Sequence, residues 1–161
     1  MGKSVNLAWY VLALCVGVAI SVQAAVNARL AVGLDGNSVL SALTSFTVGT
    51  VALALVVLVR GNPPGTLALL AGQPLWKYAG GLLGASFVFG SVFLAPRIGL
   101  FNLVVLVIAA QLLSSMAIDQ FGLVQMALRK VSGVRMLGAL VMLTGVALVV
   151  FGDRLVAAVS R

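Results

Sequence analysis

The chain has 161 residues and a formal net charge of +7, with 62% hydrophobic and only 8% charged residues. A soluble domain has roughly a quarter of its residues charged, so this composition excludes a soluble globular protein. The basic residues lie scattered at the ends of apolar runs and form no stripe with interleaved aromatic residues. Membrane lipids with anionic headgroups are therefore the expected partners of these residues, and no nucleic-acid partner is expected.

Five apolar runs are each long enough to cross roughly 30 Å of hydrocarbon as a helix. They predict transmembrane helices over approximately 5–30, 38–59, 75–95, 98–118 and 135–152. Open strands would leave backbone groups unpaired in lipid, and the alternating decamers of a barrel are not seen. The predicted fold class is therefore all-α integral membrane protein. Only turn-length links separate the runs, so residues 1–161 are predicted to form a single transmembrane domain.

The first span ends in SVQAAVNARL, residues 21–30, which places two carboxamides in an otherwise apolar helix. Gln23 and Asn27 are four residues apart and therefore share one face. An amide left unpaired in hydrocarbon costs several kcal/mol, so these groups need partners. Two interpretations stay open, a hydrogen-bonded clamp between helices and a polar cavity lined by the first and fourth spans.

Turn signals separate the apolar runs in the middle of the chain. GLDGN at 33–37 predicts a turn, with Asn37 or Ser38 capping the second span, and RGNPPG at 60–65 predicts its end. Pro96 in APRIG predicts a sharp link between the third and fourth spans. MALRK, in the loop from Asp119 to Arg135, predicts a short amphipathic segment.

Polar residues recur in the fourth span, and acidic residues are missing from the middle of every span. Glutamate is absent, and the three aspartates lie in a loop or at helix ends, which disfavours cation export through an intramembrane carboxylate. The predicted substrate-binding residues are Gln23, Asn27, Asn102, Gln111 and Ser115. The predicted coupling or gating residues are Asp119, Arg29 and Arg97. For Arg29 and Arg97, contact with lipid headgroups is one interpretation, and attraction of an anionic or zwitterionic solute is the other.

Catalytic, metal and cofactor sites are not predicted. Histidine is absent and Cys15 is the single cysteine. No nucleophile, base and orienting group occur together at a recognisable spacing, so an enzyme is not expected.

The loops carry only a shallow charge bias. With the first span starting on one side, that side has six basic residues and the opposite side has four. The first group is Lys3, Arg60, Lys77, Arg129, Lys130 and Arg135, and the second is Arg29, Arg97, Arg154 and Arg161. The excess favours a cytoplasmic N-terminus weakly, so insertion in both orientations is conceivable. Five spans cannot form two equal inverted halves, so an inverted-repeat site would need a second chain.

Six blocks in this order resemble the YdcZ-like family, the small five-helix branch of the drug/metabolite transporter superfamily. They are QAAVNARL, SALTSFTVGT, GGLLGA, APRIG, AAQLLSSMAIDQFG and RMLGALVMLTGVALVV, and together they extend over nearly the whole chain. Ala110 stands where that family expects a glycine, a small departure. Gln23, Asn27, Gln111 and Asp119 match family blocks.

The resemblance implies that a single copy works as an antiparallel dimer, a ten-helix unit, because such families occur as single genes, as oppositely oriented pairs and as fused proteins. The expected function is a small-molecule carrier that works by alternating access in the inner membrane of a bacterial-type cell. The expected partner is a second copy, or a homologue, with the opposite orientation, and the substrate is not implied. A dual-topology passive ion channel and a non-transporting assembly subunit are the alternatives.

Overall fold

The computed structural model describes residues 7–61, 65–66 and 68–159, except for the side chains of residues 155 and 157–159. These residues form helices and contain no strand. The helices are α1 (Leu7–Gly33), α2 (Ser38–Arg60), the single turn α3 (Ala68–Ala71), α4 (Ala79–Ile98), α5 (Leu100–Phe121) and α6 (Gly133–Val159). Short 3₁₀ turns at Leu75–Tyr78 and Leu123–Gln125 precede α4 and follow α5.

In the described part of the chain, five helical segments of 22 to 27 residues are long and apolar enough to cross a membrane. They are α1, α2, α4 with the 3₁₀ turn before it, α5, and α6 as far as Arg154. The predicted all-α architecture with five transmembrane helices is thereby confirmed. The first two residues of the predicted span 5–30, and residues 62–64 of the RGNPPG turn, lie outside the described part of the chain.

The ends of the helices differ from the predicted ones by a few residues. α4 passes through Pro96 and stops at Ile98, so the predicted break at Pro96 is wrong by a few residues. Proline fixes φ at a helical value and removes only one donor near the helix end, whereas Gly99 leaves helical geometry with φ 82° and ψ 145°. α6 continues to Val159, past the predicted end at 152, because Asp153 and Arg154 are compatible with a helix outside the hydrocarbon.

The chain divides into two compact units, Met1–Arg97 and Ile98–Arg161. In the first unit, small and β-branched side chains of α1, α2 and α4 form the core, namely Ala31, Ala42, Val88 and Val92. Gly84 of α4 admits the ring of Phe46 from α2, since a Cβ at this glycine would lie 3.4 Å from Phe46 Cζ. Small residues thus permit close helix contact, as membrane bundles require.

The turn between α1 and α2 places the start of α2. Asn37 is the N-cap, and its side-chain oxygen accepts a hydrogen bond from the Leu40 backbone N–H at 2.9 Å. Asn37 is thus the capping residue of the two candidates that the sequence indicated.

In the second unit, α5 packs against α6, and the connection between them folds back onto the end of α5. Gly122 ends α5 in the left-handed conformation, with φ 61°. The Arg129 N–H donates to the Asp119 carbonyl at 2.8 Å, and the Val131 N–H donates to Gln120 Oε1 at 2.7 Å. Residues 126–132, which include the MALRK segment, are not helical.

Candidate functional site

Asn27 of α1 forms a hydrogen-bonded clamp with α2. Its Nδ2 donates to Ser45 Oγ at 3.1 Å, and Ser41 Oγ donates to the Asn27 backbone carbonyl at 2.7 Å. Asn27 is 5% exposed and Ser41 is fully buried. The carboxamide of Asn27 is therefore engaged in helix packing, which is one of the two interpretations left open by the sequence.

Gln23, one turn before Asn27, has a different environment. Its side chain is exposed, and the carboxamide makes no hydrogen bond to any residue that the structure describes. Together with Asn27 and Ser91 it borders a cavity of about 10 Å³ between α1 and α4. That volume is the minimum for one water molecule, so this cavity cannot hold an organic solute.

The polar residues of α5 also include some with a hydrogen-bond partner and one without. Asn102 Nδ2 donates to the Ile98 carbonyl at 2.9 Å, and Ser115 Oγ donates to the Leu112 carbonyl at 2.9 Å. These local bonds satisfy part of the hydrogen-bonding capacity of the two side chains. Gln111 is exposed, and its carboxamide has no partner among the described residues.

A groove of about 370 Å³ between α5 and α6 is lined by two charged residues of the second unit, one acidic and one basic. Its lining residues are Leu112, Ser115, Met116, Asp119, Val131, Arg135, Gly138, Ala139 and Met142. Of the predicted site residues, Ser115 and Asp119 come together here. Arg135 was not predicted as a site residue, because the sequence indicated only a basic residue of a loop. The structure anchors its backbone, since the Arg135 N–H donates to Ser132 Oγ at 3.4 Å, and no sequence pattern marked the side chain as part of a site.

The two predicted gating arginines lie in the first unit. The Arg97 guanidinium stacks on the Phe93 ring, 3.5 Å from its centroid, and donates to the Phe93 carbonyl in the last turn of α4. The helix dipole favours a cation at a helix C-terminus. Together with the contact to the Phe93 ring, it accounts for the position of the Arg97 guanidinium. Arg29 is exposed near the end of α1 and has no hydrogen bond to a described residue.

Among the described residues, no three histidine, cysteine, aspartate or glutamate side chains lie close enough together to bind a metal ion. Cys15 is exposed on α1. Within the described membrane-spanning segments, the carboxamides without a hydrogen-bond partner are Gln23 and Gln111, and the groove between α5 and α6 contains both signs of charge.

The sequence model of one protein family, described as "Putative inner membrane exporter, YdcZ", matches residues 8–148. No curated protein and no solved structure gives a significant match. The matched region contains all five membrane-spanning helices except the first residue of α1 and the end of α6. This chain belongs to the YdcZ family of the drug/metabolite transporters and is a multi-pass protein of the inner membrane.

Proposed function

We propose that this chain is a small-molecule carrier that exports its substrate by alternating access, working as a pair of oppositely oriented copies. The observation that carries the proposal is the state of Gln23 and Gln111. Both carboxamides lie within membrane-spanning helices, and neither has a hydrogen-bond partner among the described residues. Since an unpaired amide in hydrocarbon costs several kcal/mol, each needs a second chain, water or a solute.

Glycines without neighbours support a second chain as part of the carrier. A Cβ built on Gly80 or Gly81 of α4, or on Gly138 or Gly145 of α6, would meet no heavy atom of the described residues within 4 Å beyond its own turn of helix. Such surfaces permit another helix to approach closely in lipid. With an odd number of spans, an inverted second copy supplies the symmetry that inverted-repeat carriers obtain from two halves of one chain.

Alternating access then becomes an exchange of conformations between two identical subunits. The inward-open and outward-open states of such a pair are related by symmetry and have equal energy without a gradient. Substrate contacts by Gln23 and Gln111 favour the occluded state, and Asp119, at the end of α5, is the proposed coupling residue.

Counterflow in proteoliposomes tests the carrier directly. Vesicles loaded with one solute from a panel of organic cations, anions and neutral metabolites should show saturable uptake of the same labelled solute. Gln111→Leu removes the amide at similar volume and should reduce the uptake roughly tenfold, which corresponds to about 1.4 kcal/mol. Thr144→Val is the matched control, because the Thr144 hydroxyl donates to the Leu140 carbonyl of its own helix at 2.9 Å. Fast flux without saturation would indicate a channel, and no flux of any solute would refute the carrier.

The Asn27 clamp favours a second candidate, a non-transporting assembly subunit whose amides serve only to hold helices together. In that case Gln23→Leu and Gln111→Leu would weaken assembly with a partner, and wild-type vesicles would transport no member of the panel. Cross-linking yield and counterflow, measured on the same variants, distinguish the two candidates.

A further inference from the structure

The groove between α5 and α6 has the size and the lining of a small-molecule site. Its volume of about 370 Å³ lies in the range of ligand pockets, which is roughly 300–1,000 Å³. Leu112, Met116 and Met142 supply apolar walls, and Ser115, Asp119 and Arg135 supply the polar groups. A mainly apolar lining with a few polar groups is the usual composition of such sites.

Asp119 and Arg135 line this groove without forming an ion pair or a side-chain hydrogen bond with any residue in the described part of the chain. The backbone around both residues is fixed. The Asp119 carbonyl accepts from the Arg129 N–H at 2.8 Å, and the Arg135 N–H donates to Ser132 Oγ at 3.4 Å. The two charged side chains are therefore presented from anchored positions and lack a partner of opposite charge among the described residues.

Both charges also lie at the helix end that disfavours them. Asp119 is in the last turn of α5 (Leu100–Phe121), where the helix dipole favours a cation. Arg135 is in the first turn of α6 (Gly133–Val159), where the dipole favours an anion. Local rules that are broken without a compensating contact are expected at functional sites. An ammonium beside Asp119 and an anionic group beside Arg135 would supply the opposite charge that each side chain lacks.

We infer that this groove binds a zwitterion, a molecule with an ammonium group and a carboxylate or phosphate joined by an apolar linker. A molecule with one charge would be attracted by one side chain and repelled by the other, whereas a zwitterion satisfies both. Guanidinium binds carboxylate and phosphate with two parallel hydrogen bonds, which gives Arg135 the anionic end. The inference rests on the proposed carrier function, of which it names the substrate class.

Binding to the purified full-length protein tests the inference without requiring flux. The probes are ω-amino acids of four to eight carbons, with phosphoethanolamine, compared by calorimetry with the alkylamines and alkanoates of equal length. We expect the best zwitterion to bind roughly tenfold more tightly than either analogue with a single charge. Asp119→Asn and Arg135→Gln should each weaken zwitterion binding by a similar factor. Asp153→Asn and Arg154→Gln, adjacent charges near the end of α6 that do not line the groove, are the matched controls and should change it less than about twofold.

A signature separates ligand contact from a structural role. Asp119→Asn removes the repulsion of an anion, so the alkanoate should bind this variant more tightly than it binds the wild type. Circular dichroism checks that each variant is folded. The inference is overturned if zwitterions and single-charge analogues bind equally, or if neither substitution changes zwitterion binding. It is also overturned if no probe binds, because that result indicates a water-bridged Asp119–Arg135 pair.

Two further comparisons identify the source of the zwitterion and distinguish failure of the groove as the substrate site from failure of the proposed carrier function. If phosphatidylethanolamine nanodiscs suppress probe binding relative to phosphatidylglycerol nanodiscs, a lipid headgroup is the occupant; unchanged binding indicates a free solute. Both results support zwitterion recognition. If some solute shows counterflow and neither Asp119→Asn nor Arg135→Gln changes it, the groove is not the substrate site, although the protein is still a carrier. Zwitterion binding with no counterflow of any solute overturns the carrier.

Discussion

Ser41 joins two helices of the first unit through a buried polar contact. It is fully buried, and its hydroxyl donates to the backbone carbonyl of Asn27 in α1. The bond joins α2 to α1 rather than closing within its own helix. Side-chain hydrogen bonds between membrane helices contribute about 0.6 kcal/mol on average and up to about 1.7 kcal/mol, because the unfolded state in lipid also finds partners.

We therefore expect Ser41→Ala to reduce the free energy of unfolding by about 1 kcal/mol. Ser86→Ala is the matched control, since the Ser86 hydroxyl donates only to the Leu82 carbonyl of its own helix, at 2.9 Å. Unfolding by SDS in mixed micelles, followed by circular dichroism, measures both variants. Equal stability of the two variants would show that the Ser41–Asn27 bond does not stabilise the α1–α2 contact.

At the same scale, sequence spacing predicted which side chains share a face and not which partners they meet. Gln23 and Asn27 are one helical turn apart, yet Asn27 is enclosed against α2 and Gln23 is exposed. The partner depends on the packing of α2, whose serines lie beside Asn27 and not beside Gln23. Arg135 was missed for a related reason. Its groove exists because residues 122–132 fold back onto the end of α5, and no local pattern predicts that return.

At the scale of the helices, length and apolar content predicted all five spans, and local chemistry decided their ends. The link between α4 and α5 shows why the sequence predicts the spans better than it predicts their ends. Pro96 is compatible with the last turn of α4, whereas Gly99 adopts φ 82° and ψ 145°, a conformation close to a region that is essentially restricted to glycine. The position of the break is therefore fixed by the glycine and not by the more conspicuous proline.

Gly99→Ala should consequently destabilise the protein by roughly 1–3 kcal/mol, since the backbone strain is independent of the available space. The first turn of α5 would be affected directly, because the Gly99 carbonyl accepts from the Leu103 N–H at 3.1 Å. Gly90→Ala is the control: Gly90 is inside α4, and a Cβ there meets no heavy atom of the described residues within 4 Å beyond its own turn of helix. In this variant we expect no loss, or a gain of at most about 1 kcal/mol from helix propensity. A Gly99→Ala protein as stable as the Gly90→Ala protein would refute the strained link.

At the scale of the whole molecule, the sequence determines the number of spans more firmly than their direction. Six basic residues on one side against four on the other give a weak orienting signal. Windows of 18 residues in the five spans are only 6% to 22% buried, so most of each helix surface is available to lipid or to another chain. An antiparallel pair requires that both orientations are present in one membrane, which is a property of the population and not of one folded chain.

Single cysteines on opposite sides of the membrane measure that property. Cys15→Ala removes the native thiol, after which Leu34→Cys labels the turn between α1 and α2, and Met126→Cys labels the connection before α6. Neither probe changes the charge balance, and Met126 is 58% exposed. If the chain inserts in both directions, a membrane-impermeant maleimide added to intact cells should label about half of each population, because the shallow charge bias separates the orientations by little free energy. Permeabilised cells give the total for each site. Complete labelling at one position with none at the other would show a single orientation and refute the antiparallel homodimer, leaving an oppositely oriented homologue as the required second half.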